Sequence, residues 1–119
     1  MAPSWCVSRL ECVDTFGAWQ NLEKGKLHEI REKLAHFESM TWNEILVKSK
    51  TRNHVVSVGS LVSQAKRRLA QLKVDDIDEL VSLRLSARER IYGIRNQAAL
   101  LLLWWDPDHA IYPVEKRHT

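Results

Sequence analysis

The 119-residue sequence predicts an α+β fold in a single domain over residues 1–119. Three observations lead to this prediction. A short β-prone segment opens the chain, the middle repeats apolar residues at helical spacing, and the last third alternates apolar with polar residues. Helices and strands that are segregated along a chain favour α+β over an alternating parallel sheet. We therefore expect an N-terminal strand, two to three helices and an antiparallel three- to four-stranded meander packed on the helices.

The N-terminal part predicts one strand and one helix. Residues 5–13 are β-prone with imperfect alternation, which indicates a first strand that ends before Gly17. An apolar stripe at helical spacing then predicts a helix over 21–38. The stripe consists of Leu27, Ile30, Leu34 and Phe37.

The central part predicts two further helices. Thr41 and Glu44 have capping-box spacing, in which each side chain bonds the amide of the other residue. A short second helix should follow and end before Thr51. Residues 48–59 are polar, basic and β-branched, which predicts a loop. Apolar residues at helical spacing then indicate a third helix over 60–73: Leu61, Ala65, Leu69 and Leu72.

The last third predicts the strands of the meander. Residues 81–85 alternate apolar with polar side chains, which is typical of a half-buried strand, and a second strand is expected over 89–95. Residues 98–105 are apolar at every position, which predicts a central strand covered on both faces. The adjacent Trp104 and Trp105 should therefore point to opposite faces. A turn and a short edge strand are expected to follow, at 106–109 and 111–112.

Positive charge is concentrated in the middle of the chain. Residues 45–74 hold seven basic residues and no acidic residue, whereas the rest holds 11 basic and 15 acidic residues. This distribution indicates an anionic partner such as nucleic acid, although a solvated face neutralised by acids from elsewhere gives the same pattern. The candidate nucleic-acid contacts here are Lys48, Lys50, Arg52, Lys66, Arg67 and Lys73.

Several protein classes do not fit the sequence. The longest apolar run, 98–105, is shorter than the roughly 20 residues of a membrane span, and no secretory signal is visible. Two cysteines cannot make a disulfide framework, so we expect a reduced, cytoplasmic setting without a membrane. The motifs of common enzymes are absent. Asp106, Asp108 and His109 resemble metal ligands, but Asp is common in turns, and we expect neither metal nor cofactor.

The predicted meander carries an arginine cluster. The period of two places Arg88, Arg90 and Tyr92 on one face of the second strand, with Arg84 on the strand before and Arg95 at the end. Arginine grips phosphate through two parallel hydrogen bonds. It can also stabilise the phosphorane formed when a ribose 2′-hydroxyl attacks the adjacent phosphorus. An ordinary charged sheet face remains the alternative interpretation.

Histidines and tyrosines near the cluster extend this hypothesis. His109 and His118 are candidate proton donors or acceptors. Tyr92 or Tyr112 could stack on a splayed base. The alternative is that these rings pack at the end of the sheet.

Four segments together resemble a known family. They are residues 83–85, the arginine-bearing strand 90–95, the apolar strand 100–105 and the polar turn 109–112. With the order of elements, they resemble the RelE/ParE-type toxin superfamily of bacterial toxin–antitoxin modules over about 81–113. The helical part here is longer than in a typical member, and the meander face has no lysine pair.

The resemblance implies a function and roles for individual residues. Members of the RNA-cleaving (RelE-like) branch cut messenger RNA at the ribosome without a metal, by 2′-hydroxyl attack, and are neutralised by an antitoxin protein. By analogy, phosphate contact and transition-state charge would fall to Arg88, Arg90 and Arg95. His109 or His118 would be general acid or base, with Tyr112 as a stacking or proton-transfer partner. The basic stretch, Arg84 and Tyr92 would contact RNA.

Two alternatives remain open at this stage. A toxin with the same fold could inhibit a topoisomerase without cutting RNA, because fold does not determine function. The chain could also be a nucleic-acid-binding or protein-binding domain without toxicity.

Overall fold

One sheet organises the protein. The computed structural model describes residues 1–12, 18–48, 52–74 and 76–112. The strands are β1 (Ser4–Cys6), β2 (His54–Ser57), β3 (Glu79–Arg84), β4 (Arg90–Asn96) and β5 (Ala99–Asp106). Their order in the sheet is β1-β5-β4-β3-β2, with β1 parallel to β5 and the other neighbouring pairs antiparallel. The predicted α+β class, with an N-terminal strand and an antiparallel meander, is confirmed.

In the described parts of the chain, two α-helices pack on this sheet: α1 (Lys26–Glu38) and α2 (Ser63–Gln71). α1 begins later than predicted because Gly25 precedes it with a φ of +89°, a left-handed conformation that interrupts a helix. α2 begins later than predicted because the residues before it form a short 3₁₀ turn, Val58–Ser60. A second 3₁₀ turn is Trp19–Asn21. Among the described residues, no helix has the length and apolar character needed to cross a bilayer.

The predicted capping box is present. The Thr41 amide donates to Glu44 Oε1 at 3.0 Å, and the Glu44 amide donates to Thr41 Oγ1 at 3.2 Å. The Thr41 amide, and the Thr41 hydroxyl at 3.3 Å, donate to the Glu44 carboxylate and hold its pKa below the usual value. The turn that they open is a single π-helical one, Glu44–Lys48.

The predicted loop over 48–59 contains a strand. β2 pairs antiparallel with β3, which places Val56 opposite Leu80. The prediction of a loop was wrong here because β2 is only four residues long and buries only Val56. So short a segment does not display alternation, and only its pairing with β3 identifies it as a strand.

Two other predicted strands differ from the structure. Within the described part of the strand predicted over 5–13, only the three-residue β1 is a strand. The edge strand predicted at 111–112 does not form. Instead Ile111 is buried, and its carbonyl accepts the Val62 amide at 3.1 Å. That bond ties the segment after β5 to the start of α2.

Each face of the sheet has its own hydrophobic core. The α1-side core includes Ile30, Phe37, Val81, Leu83, Ile91 and Trp105. The α2-side core includes Ala65, Leu69, Leu80, Tyr92, Leu103 and Trp104. Neighbouring residues of a strand point to opposite faces, so the two helices lie on opposite sides of the sheet. Trp104 and Trp105 join different cores, which confirms the prediction from their adjacency.

A register shift between β4 and β5 leaves no room for a side chain at Gly93. A Cβ atom there would lie 2.7 Å from the Leu101 carbonyl oxygen and 2.8 Å from Leu100 Cγ. We expect Gly93→Ala to lower the free energy of unfolding by roughly 1–3 kcal/mol, the usual cost of overpacking. Urea denaturation measures this. Gly59→Ala is the matched control, because its nearest neighbour would be Ser57 Oγ at 3.6 Å. Equal losses in the two variants would contradict the close approach at Gly93.

Candidate functional site: a basic cleft beside the sheet

The predicted catalytic face of the sheet is covered. Tyr92 is fully buried in the α2-side core, and Arg90 on the same strand is only 9% exposed. Burial and the nearby Asp106 raise the pKa of the Tyr92 hydroxyl above its usual value, so it stays protonated. The predicted stacking role of Tyr92 is therefore corrected: its ring is a core side chain that has no open face for a base.

Arg90 supports the turn before its own strand. Its Nη1 atom donates to the carbonyl oxygens of Ser86 at 2.8 Å and Glu89 at 2.9 Å. Burial and the like charge of Arg84, its partner across the strand pair, lower the pKa of the guanidinium. The predicted phosphate contact of Arg90 is thus replaced by contacts that hold residues 86–89.

The remaining predicted arginines are far apart. Arg88 lies outside β4, so it does not share a strand face with Arg90 as predicted. It is 75% exposed and pairs with Asp108 at 2.8 Å. Arg95 lies near the other end of β4, with its guanidinium 4.9 Å from the centre of the Trp42 ring. β4 has seven residues and is therefore about 20 Å long, so Arg88 and Arg95 cannot contact one phosphate.

The turn after β5 is stabilised by hydrogen bonds from its own backbone to Asp106. The Asp106 carboxylate accepts the amides of Ala110 at 3.0 Å and Ile111 at 2.9 Å. His109, just before Ala110, takes a left-handed φ of 57° and is half-buried. Tyr112 packs against the α2-side core. The prediction for His118 lies outside the described residues.

The basic stretch is divided between the two sides of the sheet. Lys66 and Arg67 are exposed on α2, and Lys73 is exposed just beyond that helix. Arg68 donates two hydrogen bonds to the Glu11 carboxylate. At this residue the positive charge is therefore neutralised by an acid from elsewhere in the chain, as in the alternative interpretation of the basic stretch. Lys48 is exposed at the end of the π-helical turn. The prediction for Lys50 lies outside the described residues.

A cleft between α1 and the end of β3 gathers cationic groups. We call it the basic cleft. It has a volume of about 310 Å³ and is lined by Lys33, His36, Phe37, Met40, Arg52, Asn53, Arg84 and Leu85. Among the described residues, no carboxylate lines it and no ion pair involves Lys33, Arg52 or Arg84.

Specific contacts place these cations. Lys33 and His36 are neighbours one turn apart on α1, and Lys33 Nζ lies 5.6 Å from the centre of the Phe37 ring. The buried Asn53 accepts the Arg84 amide on Oδ1 at 2.9 Å, which fixes the end of β3 beside Arg52. The arrangement presents three permanent cations and one imidazole to a shared space.

The basic cleft has the components of phosphate chemistry. Arginine and lysine side chains offer charge-assisted hydrogen bonds to phosphate oxygens. Histidine is the residue type most used for proton transfer. The sequence identified Arg52 and Arg84 but missed Lys33 and His36. The sequence places these two residues three apart on a predicted helix, but the same spacing of polar residues occurs on any solvent-exposed helix face.

Comparisons with protein-family models, curated proteins and solved structures found no match. The resemblance to RelE/ParE-type toxins therefore stays a hypothesis from the sequence. Support for a function comes from the chemistry of the basic cleft.

The turn 86–89 is anchored to α1 by Glu89. Its Oε1 atom lies 2.9 Å from Lys26 Nζ and accepts the Ser86 hydroxyl at 3.0 Å, while Oε2 accepts Trp105 Nε1 at 3.2 Å. Burial alone would raise the pKa of Glu89, but these hydrogen bonds outweigh it and hold the pKa below its usual value. The carboxylate thus joins helix, turn and sheet.

A pH dependence of stability follows from Glu89. A depressed folded-state pKa contributes stability above the unfolded pKa of about 4.3, and this contribution is lost as the pH falls through the folded-state pKa. We expect Glu89→Gln to lose about 1–2 kcal/mol at pH 7 and less at pH 3, where the charge contributes less to the stability of the wild type. Urea denaturation at both pH values measures this, with Glu79→Gln on exposed β3 surface as control. A loss independent of pH would contradict the role of the charge.

Proposed function

We propose that this protein is a metal-independent RNA endonuclease and the toxin of a toxin–antitoxin module. The observation that supports this is the basic cleft, where His36 lies with Lys33, Arg52 and Arg84 and no described carboxylate. A cleft of this composition attracts a phosphodiester and contains a group suited to proton transfer. The toxin role, a ribosomal messenger RNA substrate and an antitoxin partner rest on the resemblance described above.

The proposed reaction is an intramolecular transesterification, in which the 2′-hydroxyl of a ribose attacks the phosphodiester on its own 3′-oxygen. The 2′-oxygen bonds to phosphorus as the bond from phosphorus to the 5′-oxygen breaks. The 2′-hydroxyl gives up its proton and the departing 5′-oxygen gains one, which yields a 2′,3′-cyclic phosphate and a 5′-hydroxyl end. His36 takes part in proton transfer, and Arg52 and Arg84 stabilise the charge on the phosphorane.

This proposal moves the centre of catalysis away from the residues first predicted. Arg90 is held by the turn 86–89, and Arg88 is paired with Asp108. In this proposal Arg84 and Arg52 remain RNA contacts, which is supported by their position in the lining of the basic cleft. Lys33 and His36 of α1 take the place of the groups on β4.

Induction in a bacterial host tests the proposal, with growth and primer extension on a reporter messenger RNA scored together. Arrest with new 5′ ends supports an RNA-cleaving toxin. Arrest with intact transcripts contradicts cleavage and favours another target, such as a topoisomerase. Absence of arrest contradicts the toxin role, and purified protein with end-labelled RNA and EDTA then tests metal-independent cleavage directly.

The site within the protein is tested by arginine variants. We expect Arg84→Ala to reduce cleavage of end-labelled RNA about tenfold or more, because charged hydrogen bonds to phosphate are lost. Arg31→Ala is the matched control, since Arg31 is exposed on α1 and does not line the basic cleft. Equal activity in both variants would place the cutting site elsewhere.

A further inference from the structure

A second hollow continues from the basic cleft along α1. It has a volume of about 630 Å³, and its lining includes Ile30, Lys33, His36, Leu85, Ser86 and Glu89. We call it the trough. The basic cleft and the trough share Lys33, His36 and Leu85, so the two lie side by side, and together we call them the groove.

We infer that the trough receives one unpaired base of a single-stranded RNA whose adjacent phosphate lies in the basic cleft. This inference rests on the proposed function, because it requires phosphate binding in the basic cleft. It adds a base-binding site whose lining includes no residue of β4, the strand on which the sequence had placed the candidate arginines.

The composition of the trough suits a base. Its floor is apolar, with Ile30 buried and Leu85 half-buried. Its volume lies within the range of about 300–1,000 Å³ typical of small-ligand sites. The wall opposite α1 is the turn 86–89, which Glu89 fastens to Lys26 and Trp105. The hollow is therefore built by anchored elements.

Charge distinguishes the two ends of the groove. Beside the cations that it shares with the basic cleft, the trough is lined by Lys26 and by three carboxylates, whereas the described lining of the basic cleft contains no carboxylate. Glu29 and Glu89 pair with Lys26, and the exposed Glu32 is the carboxylate with the most freedom to accept from a base. Carboxylates repel a phosphate but accept the N–H groups on the edge of a base. A strand would therefore place its phosphate beside Arg84 and its base over Leu85.

The same geometry disfavours a duplex. A paired base is stacked within the helix, and recognition of bases in RNA uses unpaired nucleotides that can be splayed out. A base in a concave site between α1 and the turn 86–89 must leave its stack. Single-stranded RNA is accordingly the substrate class that the groove accommodates.

Binding without cleavage tests this inference. Fluorescence anisotropy with purified protein compares three probes: a ten-nucleotide 2′-O-methyl strand, the same strand with abasic residues and an equal number of phosphates, and the ten-base-pair duplex, which carries twice as many phosphates. The 2′-O-methyl group blocks the reaction. We expect the abasic strand to bind about tenfold more weakly, in the range found when base contacts are lost. The duplex should also bind more weakly.

Variants locate the base. Leu85→Ser should abolish the preference for the base-bearing strand, while the volume-conserving Leu85→Met should keep it. Val55→Ser, at an exposed position of β2 outside the groove, is the control for a lost apolar side chain. Thermal unfolding of each variant verifies folding.

The outcomes separate the two proposals. Equal affinity for the base-bearing and abasic strands, or for strand and duplex, would overturn the trough as a base site and leave phosphate binding in place. Preference for the base that persists in folded Leu85→Ser would also overturn it. Failure of all three probes to bind would overturn the proposed function as well.

Discussion

Replacing His36 by alanine is expected to lower the rate of RNA cleavage by about 10²–10⁴-fold, the range that a positioned acid or base contributes. The reason is the location of the imidazole in the basic cleft beside Arg52 and Arg84. Binding of RNA should change little, because the permanent cations remain. The measurement is the single-turnover rate on end-labelled RNA, together with anisotropy on the uncleavable 2′-O-methyl strand.

Two further variants sharpen the result for His36. Arg31→Ala, on the same helix but outside the groove, should cleave at the wild-type rate. His109→Ala tests the assignment made from the sequence. A large loss in His109→Ala with an unchanged rate in His36→Ala would restore that assignment and remove the basic cleft as the site of proton transfer.

Replacing Trp104 by alanine is expected to remove about 3–5 kcal/mol from the free energy of unfolding, the usual cost of emptying a buried aromatic site. Trp104 is completely buried in the α2-side core on β5, next to β4. Small domains have only about 5–15 kcal/mol in total, so the substitution should remove a large share of the stability of the fold. Urea denaturation followed by circular dichroism measures the loss.

The control for Trp104 is an apolar side chain that the fold leaves in solvent. Leu27 is 66% exposed at the start of α1, and Leu27→Ala should change stability by less than about 0.5 kcal/mol. A similar effect in the two variants would contradict the description of β5 as a strand covered on both faces. Trp104→Phe should fall between them.

The position of the basic cleft follows from the layering of the fold. Because helices cover both faces, the side chains at the centre of the sheet are buried in the two cores, as Tyr92 and Trp104 are. Polar chemistry is then confined to places where helix, strand end and turn meet. The basic cleft and the trough lie at such a place, between α1 and the segment that follows β3.

Much of the local structure could be predicted from the sequence because its causes are local. The capping box of Thr41 and Glu44 depends on residues three apart, and its two bonds formed as expected. The continuous apolar run of β5 indicated burial on both faces, and Trp104 and Trp105 occupy different cores. β2 was missed because so short a strand is defined by pairing with β3.

The α+β class, the meander and the opposite directions of Trp104 and Trp105 could be predicted from the sequence alone, since they follow from backbone periods of 3.6 and 2. Long-range packing is what places α2 over the face that holds Tyr92 and brings Lys33 and His36 of α1 to Arg84. A period states which residues share a face. It contains no information about which distant segment packs there, because that depends on contacts between residues far apart in the chain.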